Sequence, residues 1–244
     1  MLDNWIYGEY GSLSAEAPLK IFKHKKNQNS LGGVGNLCSH LKRLNINFKL
    51  LVDIANDEDG LIIKKKLLKK NINYLKIGEK KITTKKNRFF VNDEQIFRED
   101  KEVNFSAKNI NSKIEKKIKK NDFIIVSDYK KGIVNKNLHK ILIKKKCITF
   151  IDPKNKPNFF KNAFLVKPNL VKFEEWCGKF NKTKAFNLLK KMNWHWLIIT
   201  IGERGVHVFN KKGEYRYFRV KKVDKPNVIG AGDSFFAGLM YLIL

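Results

Sequence analysis

Short apolar runs alternate with amphipathic helical patterns through most of this chain, and that alternation limits its fold more than any other feature. Residues 34–45 place Val34, Leu37, Leu41 and Leu44 on one helical face. The next run, Asn47-Phe-Lys-Leu-Leu-Val-Asp-Ile-Ala, reads as a buried strand, and Asn56-Asp-Glu-Asp-Gly then caps a helix through about Lys70. The rhythm returns with a strand at Phe123-Ile-Ile-Val-Ser, a helix near 135–146 and a strand at Cys147-Ile-Thr-Phe-Ile. Phe164-Leu-Val, helices near 170–178 and 182–192, and Leu197-Ile-Ile-Thr-Ile continue it. Strands that are apolar throughout need cover on both faces, and helices between them supply it. The expected class is α/β, a three-layer α/β/α arrangement around a mostly parallel sheet.

Two stretches break the rhythm. Residues 17–31 and 81–99 alternate like exposed strands without intervening helices, which suggests a small antiparallel β-sheet lid over one edge. There is no repeat or low-complexity linker, so a single domain over residues 1–244 is expected. In an open parallel sheet, ligands sit beyond the carboxyl ends of the strands. The loops to inspect are therefore Ser127-Asp-Tyr-Lys-Lys-Gly, Asp152-Pro-Lys, Pro168-Asn and Thr200-Ile-Gly-Glu-Arg-Gly.

Composition removes several function classes. Hydrophobic content of 43% and aromatic content of 12% belong to a globular chain. The apolar run Phe235–Leu244 is too short to span a bilayer, and no basic segment followed by an apolar one opens the chain, so neither a membrane partner nor a signal peptide is expected. Cys38, Cys147 and Cys177 are distant and odd in number, which points to free thiols and a cytoplasmic location. The five histidines lack a His-Glu-x-x-His spacing. A net charge of +28 raises nucleic-acid binding, but only Arg43, Arg88, Arg98, Arg204, Arg216 and Arg219 are arginine. The lysines fall on several separate helices, so solvated faces explain the charge and no nucleic-acid partner is expected.

Residues 230–233 read Gly-Ala-Gly-Asp and open the apolar run Ser234-Phe-Phe-Ala-Gly-Leu-Met-Tyr. A glycine-rich turn feeding a helix presents unpaired N–H groups, and the helix dipole adds positive charge, which suits a phosphoryl group. Asp233 brings a carboxylate to the same turn. That pairing suits deprotonation of a hydroxyl and stabilisation of phosphoryl transfer to it, although an aspartate there also caps helices. Phe235, Phe236 and Met240 follow at helical spacing and read as core.

Taken in order with that turn, the strand-end loops resemble the ribokinase-like (PfkB) carbohydrate kinase family. Within it, the chain is similar to the heptose-7-phosphate kinase domain of bifunctional ADP-heptose synthases. The local signatures are Ser14-Ala-Glu-Ala-Pro-Leu, Gly32-Gly-Val-Gly-Asn, Gln95-Ile-Phe-Arg-Glu-Asp, Ser127-Asp-Tyr-Lys-Lys-Gly, Asp152-Pro-Lys and Pro168-Asn-Leu-Val-Lys-Phe-Glu. The resemblance implies an ATP-dependent kinase acting on a sugar or sugar phosphate, with Mg2+ bridging the phosphates. Asp233 would be the catalytic base, and the N–H groups of Gly230, Ala231 and Gly232 would hold the developing charge. Asp3, Gly33 and Asn36 would lie on the sugar side, and Asp128 takes a substrate role from the order of the motifs, although Asn36 and Asp128 also read as caps. Asn169, Thr200, Gly202 and Gly205 match the nucleotide side. By charge, Arg88, Arg98, Lys131 and Lys154 are candidates to meet a substrate phosphate; a solvated role is the alternative for each.

The chain departs from the family pattern at Lys172, where a glutamate that helps organise the magnesium shell is usual. Glu174 and Glu175 lie near enough to substitute. Asn227 and Ile229 replace the usual aspartate and hydroxyl residue before Gly230. Relative to the family, the first central strand and the segment completing the adenine pocket are expected to be missing, which predicts poor stability alone. The resemblance also admits a homodimer and a downstream nucleotidyltransferase domain. The alternatives are a kinase for another sugar such as ribose or fructose, or a non-catalytic binding protein of kinase fold.

Overall fold

The computed structural model describes residues 1–78, 80–102, 110–221, 223 and 229–244. Two compact units account for the chain: Met1–Asn104 with Val228–Leu244, and Phe105–Asn227.

The first unit opens with strands β1 (Leu2–Leu13) and β2 (Lys20–Leu31), helix α1 (Val34–Arg43), strand β3 (Leu50–Val52) and helix α2 (Glu58–Lys69). Strands β4 (Tyr74–Lys76), β5 (Lys85–Val91) and β6 (Glu94–Lys101) follow. Four of these strands form a sheet in the order β2-β1-β5-β6. This sheet takes in more than the two stretches 17–31 and 81–99, because residues 2–13 form a full strand within it. It is also mixed: β1 pairs antiparallel with β2 but parallel with β5, from Leu2↔Lys85 to Gly8↔Val91. The segment 81–99 divides into β5 and most of β6, which pair antiparallel around Asn92 and Asp93, both with positive φ.

The strand foreseen over 47–55 shrinks to β3, which pairs in parallel with β4 as a separate two-stranded sheet. Asp57 caps α2, its carboxylate accepting from the Gly60 N–H at 2.9 Å. Leu2, Leu31, Cys38, Leu50, Ile54, Ile63, Leu67 and Ile72 form the core that joins sheet to helices.

The second unit contains α3 (Ile110–Lys117), β7 (Phe123–Ser127), α4 (Lys136–Lys144), β8 (Ile148–Asp152), β9 (Leu165–Val166), α5 (Leu170–Cys177), α6 (Lys182–Met192) and β10 (Trp196–Thr200). It ends with the hairpin strands β11 (Val206–Asn210) and β12 (Tyr215–Phe218). The sheet order is β12-β11-β10-β9-β8-β7. The four strands from β7 to β10 run parallel, as the apolar runs required, and the hairpin adds an antiparallel edge. Phe150, Leu165, Val166, Leu197 and Ile199 are almost wholly buried. Asn135, Asn169 and Asn181 cap α4, α5 and α6 through their side-chain oxygens. That use of asparagine fits its ability to accept from unpaired first-turn N–H groups.

The chain then returns to the first unit as α7 (Ala231–Ile243). Its apolar stripe is Phe236, Ala237 and Met240, all buried, whereas Phe235 is exposed. Among the described residues no helix is long and apolar enough to cross a membrane. Cys38, Cys147 and Cys177 are free.

Candidate active site

In the first unit the site is built where α7 starts. Gly230 is the N-cap of α7 with φ 79°, a left-handed turn that a side chain resists. The next residues enter the helix, so the N–H groups of its first turn have no carbonyl one turn back to bond to. A Cβ added at Gly232 would meet nothing within 4 Å, so the side-chain direction there is open. Asp233 is the third helical residue and is only 9% exposed. Asn36, in the first turn of α1, donates from Nδ2 to Asp233 Oδ2 at 2.9 Å. It is therefore not a cap; Gly33 holds that position, with φ 59°.

Asp3, Arg88 and Arg98 come from the adjacent strands β1, β5 and β6 of the four-stranded sheet. Asp3 is 8% exposed, and its Oδ1 lies 3.7 Å from Arg88 Nη2, which is an ion pair but longer than a hydrogen bond. Asp3 Oδ1 and Arg88 Nε are both buried without a hydrogen-bond partner. Two buried polar atoms left without a hydrogen-bond partner are costly unless a polar ligand serves them. Burial raises the Asp3 carboxyl above its ordinary pKa, against the pull of Arg88. Gly32 leaves room for this carboxylate: a Cβ there would stand 2.5 Å from Asp3 Oδ2.

Arg88 and Arg98 are directly paired across β5 and β6. Arg98 binds Asp100 at 3.0 Å, and buried Lys86 binds the same carboxylate at 2.5 Å. Burial alone would raise Asp100, but the Lys86 hydrogen bond and the charges of Lys86, Arg98 and Arg88 bring it below its ordinary value. Cys38, on α1, is pushed up to about 12, first by burial and then by the charge of Asp233.

In the second unit Asp128 lies just past β7 and is 3% exposed. Its carboxylate accepts from the backbone N–H of Lys130 (2.8 Å), Lys154 (2.9 Å) and Asn155 (2.6 Å), and from Asn155 Nδ2 (3.2 Å). Asp128 thus ties the loop after β7 to the loop after β8. Lys154 lies over the Tyr129 ring at 5.3 Å, and Lys131 follows in the first of these loops. Asn155 was not foreseen as a site residue. Nor was Lys167, which is 3% exposed and pairs with Asp152 at 3.1 Å. The only hint was a lysine directly after the apolar Phe164-Leu-Val run.

Asn169 and Thr200 meet as an isolated parallel bridge at the carboxyl ends of β9 and β10, and Asn169 also caps α5. Gly202 opens a short 3-10 turn with free space at its Cβ position. Gly205 closes it with φ 114°, where a Cβ would stand 2.0 Å from the Phe218 carbonyl oxygen. A side chain at 205 would therefore break the turn. On α5, Lys172 turns to pair with Glu175, and Glu174 accepts from the Phe180 N–H at 3.0 Å. Among the described residues no three His, Cys, Asp or Glu side chains cluster as a metal site. Asn227 lies outside the described residues, and Ile229 sits in the turn before α7.

The pfkB family carbohydrate kinase profile matches residues 7–244. Bifunctional protein HldE of a Nitratiruptor species is 28% identical over 257 residues, covering 100% of this chain and 55% of that protein. HldE of Campylobacter jejuni subsp. doylei is 31% identical over 258 residues, covering 100% of this chain and 54% of that protein. The chain thus spans about half the length of the curated relatives it matches. Among solved structures, phosphofructokinase-2 from Escherichia coli in complex with substrates and products aligns with a TM-score of 0.80 at 12% identity, over 99% of this chain and 83% of that one. The same enzyme in complex with fructose-6-phosphate gives 0.76 at 14% identity, over 99% and 82%. The fold is ribokinase-like. A family profile that runs from residue 7 through the Gly-Ala-Gly-Asp turn to the last residue places the chain in the pfkB family of carbohydrate kinases, phosphotransferases with an alcohol group as acceptor.

Proposed function

We propose that the chain is an ATP-dependent sugar kinase whose acceptor is the anomeric hydroxyl of D-glycero-β-D-manno-heptose 7-phosphate, giving the 1,7-bisphosphate for ADP-heptose synthesis. The observation that carries the kinase reading is Asp233: a buried carboxylate in the first turn of a helix entered through a left-handed glycine, where first-turn N–H groups lack an intrahelical partner. Asp233 takes the proton as the sugar oxygen attacks the γ-phosphorus. The bond from phosphorus to the bridging oxygen breaks, and ADP leaves with that electron pair. The N–H groups at Gly230, Ala231 and Gly232 stabilise the charge on the transferring group.

The unsatisfied Asp3 Oδ1 and Arg88 Nε support a polyhydroxylated substrate, since a hydroxyl both donates and accepts. The charges of Arg88 and Arg98 on the same sheet support a phosphorylated one. Lys131 and Lys154 are proposed as further phosphate contacts. Asp128 is proposed to act by holding their loops. Asn169, Thr200, Gly202 and Gly205 are proposed as nucleotide contacts. The pairing of Glu175 with Lys172 and of Glu174 with Phe180 does not fit a resident metal cage. Magnesium therefore belongs to the substrate, as Mg·ATP. A cytoplasmic location and a nucleotidyltransferase partner domain accord with this role.

A coupled ADP-release assay with heptose 7-phosphate tests the reading. Asp233→Asn should lose about a thousandfold or more in kcat, as expected for removal of a general base; unchanged turnover would overturn the role of Asp233. Ribose, fructose and unphosphorylated heptose should turn over far more slowly. Equal rates would favour another sugar. Tight Mg·ATP binding by titration with no turnover on any sugar would favour a non-catalytic protein, the reading that the engaged Glu174 and Glu175 support.

A further inference from the structure

The second unit holds a cavity of about 180 Å3 between α4, the parallel strands β7 and β8, and the short 3-10 turn Pro157–Phe160. Its wall is mostly hydrocarbon, with Val126, Leu138, Leu142, Ile151, Phe159 and Phe160 contributing to it. Close-packed interiors leave few voids larger than a water molecule, so a space of this size departs from ordinary packing. An apolar cavity of about 150 Å3 takes benzene, and this one therefore has room for a single substituted ring.

Polar groups stand at defined places in that wall. Thr149, on β8, is only 7% exposed, and its hydroxyl makes no hydrogen bond among the described residues. A buried hydroxyl without a partner is costly, and valine would occupy nearly the same volume without that cost. The fold does not use this hydroxyl, whereas a molecule in the cavity can. Lys146 and Lys161 line the solvent side, and among the described residues neither ammonium pairs with a carboxylate. No described aspartate or glutamate lines the cavity, and Asp122, close to the wall residue Cys147, accepts from the Lys119 N–H at 2.7 Å. Lys146 also has a φ of 53°, whereas Asn45 and Asn71 hold the same place after α1 and α2. Asparagine tolerates that conformation better than lysine, so the backbone does not account for a lysine there. The rim is tied together as well: His139 Nε2 donates to the Lys161 carbonyl at 2.8 Å, linking α4 to the turn.

We infer that this cavity is a binding site for a monocyclic aromatic acid that carries a ring hydroxyl. The ring packs on the hydrocarbon wall beside Phe159 and Phe160, and the carboxylate meets Lys146 and Lys161. The ring hydroxyl meets Thr149, which both donates and accepts. The site stands apart from the kinase reading. Its wall belongs wholly to the second unit and contains none of the residues proposed to contact sugar, phosphate or nucleotide.

Calorimetric titration of the whole chain with 4-hydroxybenzoate tests this without turnover. Saturable binding with a dissociation constant of about a millimolar or tighter is expected, a reasonable affinity for so few atoms. Phenol, which lacks the carboxylate, and benzoate, which lacks the hydroxyl, should each bind several times more weakly. Added salt should weaken 4-hydroxybenzoate more than phenol. Lys146→Asn, the residue used at the same place after α1 and α2, should lose about twofold to fivefold in affinity for both acids. Thr149→Val should lose about fivefold for 4-hydroxybenzoate and leave benzoate unchanged, while raising the thermal midpoint of the unliganded chain. Leu142→Phe, which fills the cavity, should abolish binding; if that variant does not fold, Lys146→Asn and Thr149→Val decide. Absence of binding at ten times the expected constant would overturn the site. Equal affinity for phenol would overturn recognition of the acid, and equal affinity for benzoate would overturn that of the ring hydroxyl. Binding that survives all three substitutions would place the ligand elsewhere and overturn the assignment.

Discussion

Asp3 is a carboxyl group in a place that does not favour its charge. Burial raises its pKa, Arg88 opposes the rise at 3.7 Å, and Asp233 adds to it. Because the folded value lies above the unfolded one, the group's contribution to stability is complete below the ordinary aspartate value near 3.8 and is lost as pH rises through the raised value. Asp3→Asn should remove that fall. Urea unfolding of both proteins across the acid range is the measurement. The stability of the unaltered chain relative to Asp3→Asn should decrease from low pH toward neutrality, and a difference that stays constant would show that Asp3 is not perturbed. At this scale the sequence singles out a residue where it belongs to a short motif, as for Asp233, Asp3 and Asn36, and the structure shows those three to be part of the first unit. It was silent on Lys167 and Asn155, whose burial depends on partners 15 and 27 residues away, Asp152 and Asp128. A lysine beside an apolar run reads as surface until its counter-ion is placed.

The helices of the second unit were legible because their signals are local. Asn169 and Asn181 each accept from the N–H three residues on, at 2.8 Å, and each precedes an amphipathic pattern. Replacing either by alanine should cost about 1 kcal/mol, the usual loss of an N-cap. The two should part in function. Asn169 also sits in the bridge with Thr200 at the strand ends, so Asn169→Ala should raise KM for ATP about tenfold or more, as loss of a substrate contact would. Asn181→Ala should leave it unchanged. Chemical unfolding and ATP titration of the ADP-release rate measure both, and equal KM values would reduce Asn169 to a cap. Strand β1 was less legible. Its residues, Leu-Asp-Asn-Trp-Ile-Tyr-Gly-Glu-Tyr-Gly-Ser-Leu, lack a clean alternation because toward Leu13 the strand is largely exposed rather than backed by a core. Its parallel partner β5 lies about 80 residues on, beyond the reach of any local pattern. Pairing of that kind is set by the assembled sheet.

The whole molecule carries 51 lysines and arginines against 23 aspartates and glutamates. With more than two cations for each carboxylate, the average lysine has another cation as its neighbour, and repulsion between like charges outweighs the exposed ion pairs such as Lys144–Glu115. Exposed charges more than a Debye length apart are screened by salt, whereas buried pairs such as Lys167–Asp152 are screened much less. The two effects therefore separate with ionic strength. Raising sodium chloride from about 0.02 M to about 0.5 M, which shortens the screening length severalfold, should raise the midpoint of thermal unfolding by several degrees. A fall would mean that surface ion pairs hold the fold together despite the imbalance. The same titration bears on nucleic acid. Charge spread over separate helices gives weak binding, whereas a dedicated surface gives an affinity that falls steeply with salt. A gel shift with duplex DNA over the same salt range should show no complex at about 0.15 M. A complex that persists there, with a steep salt slope, would show that the lysines form one surface rather than many solvated faces.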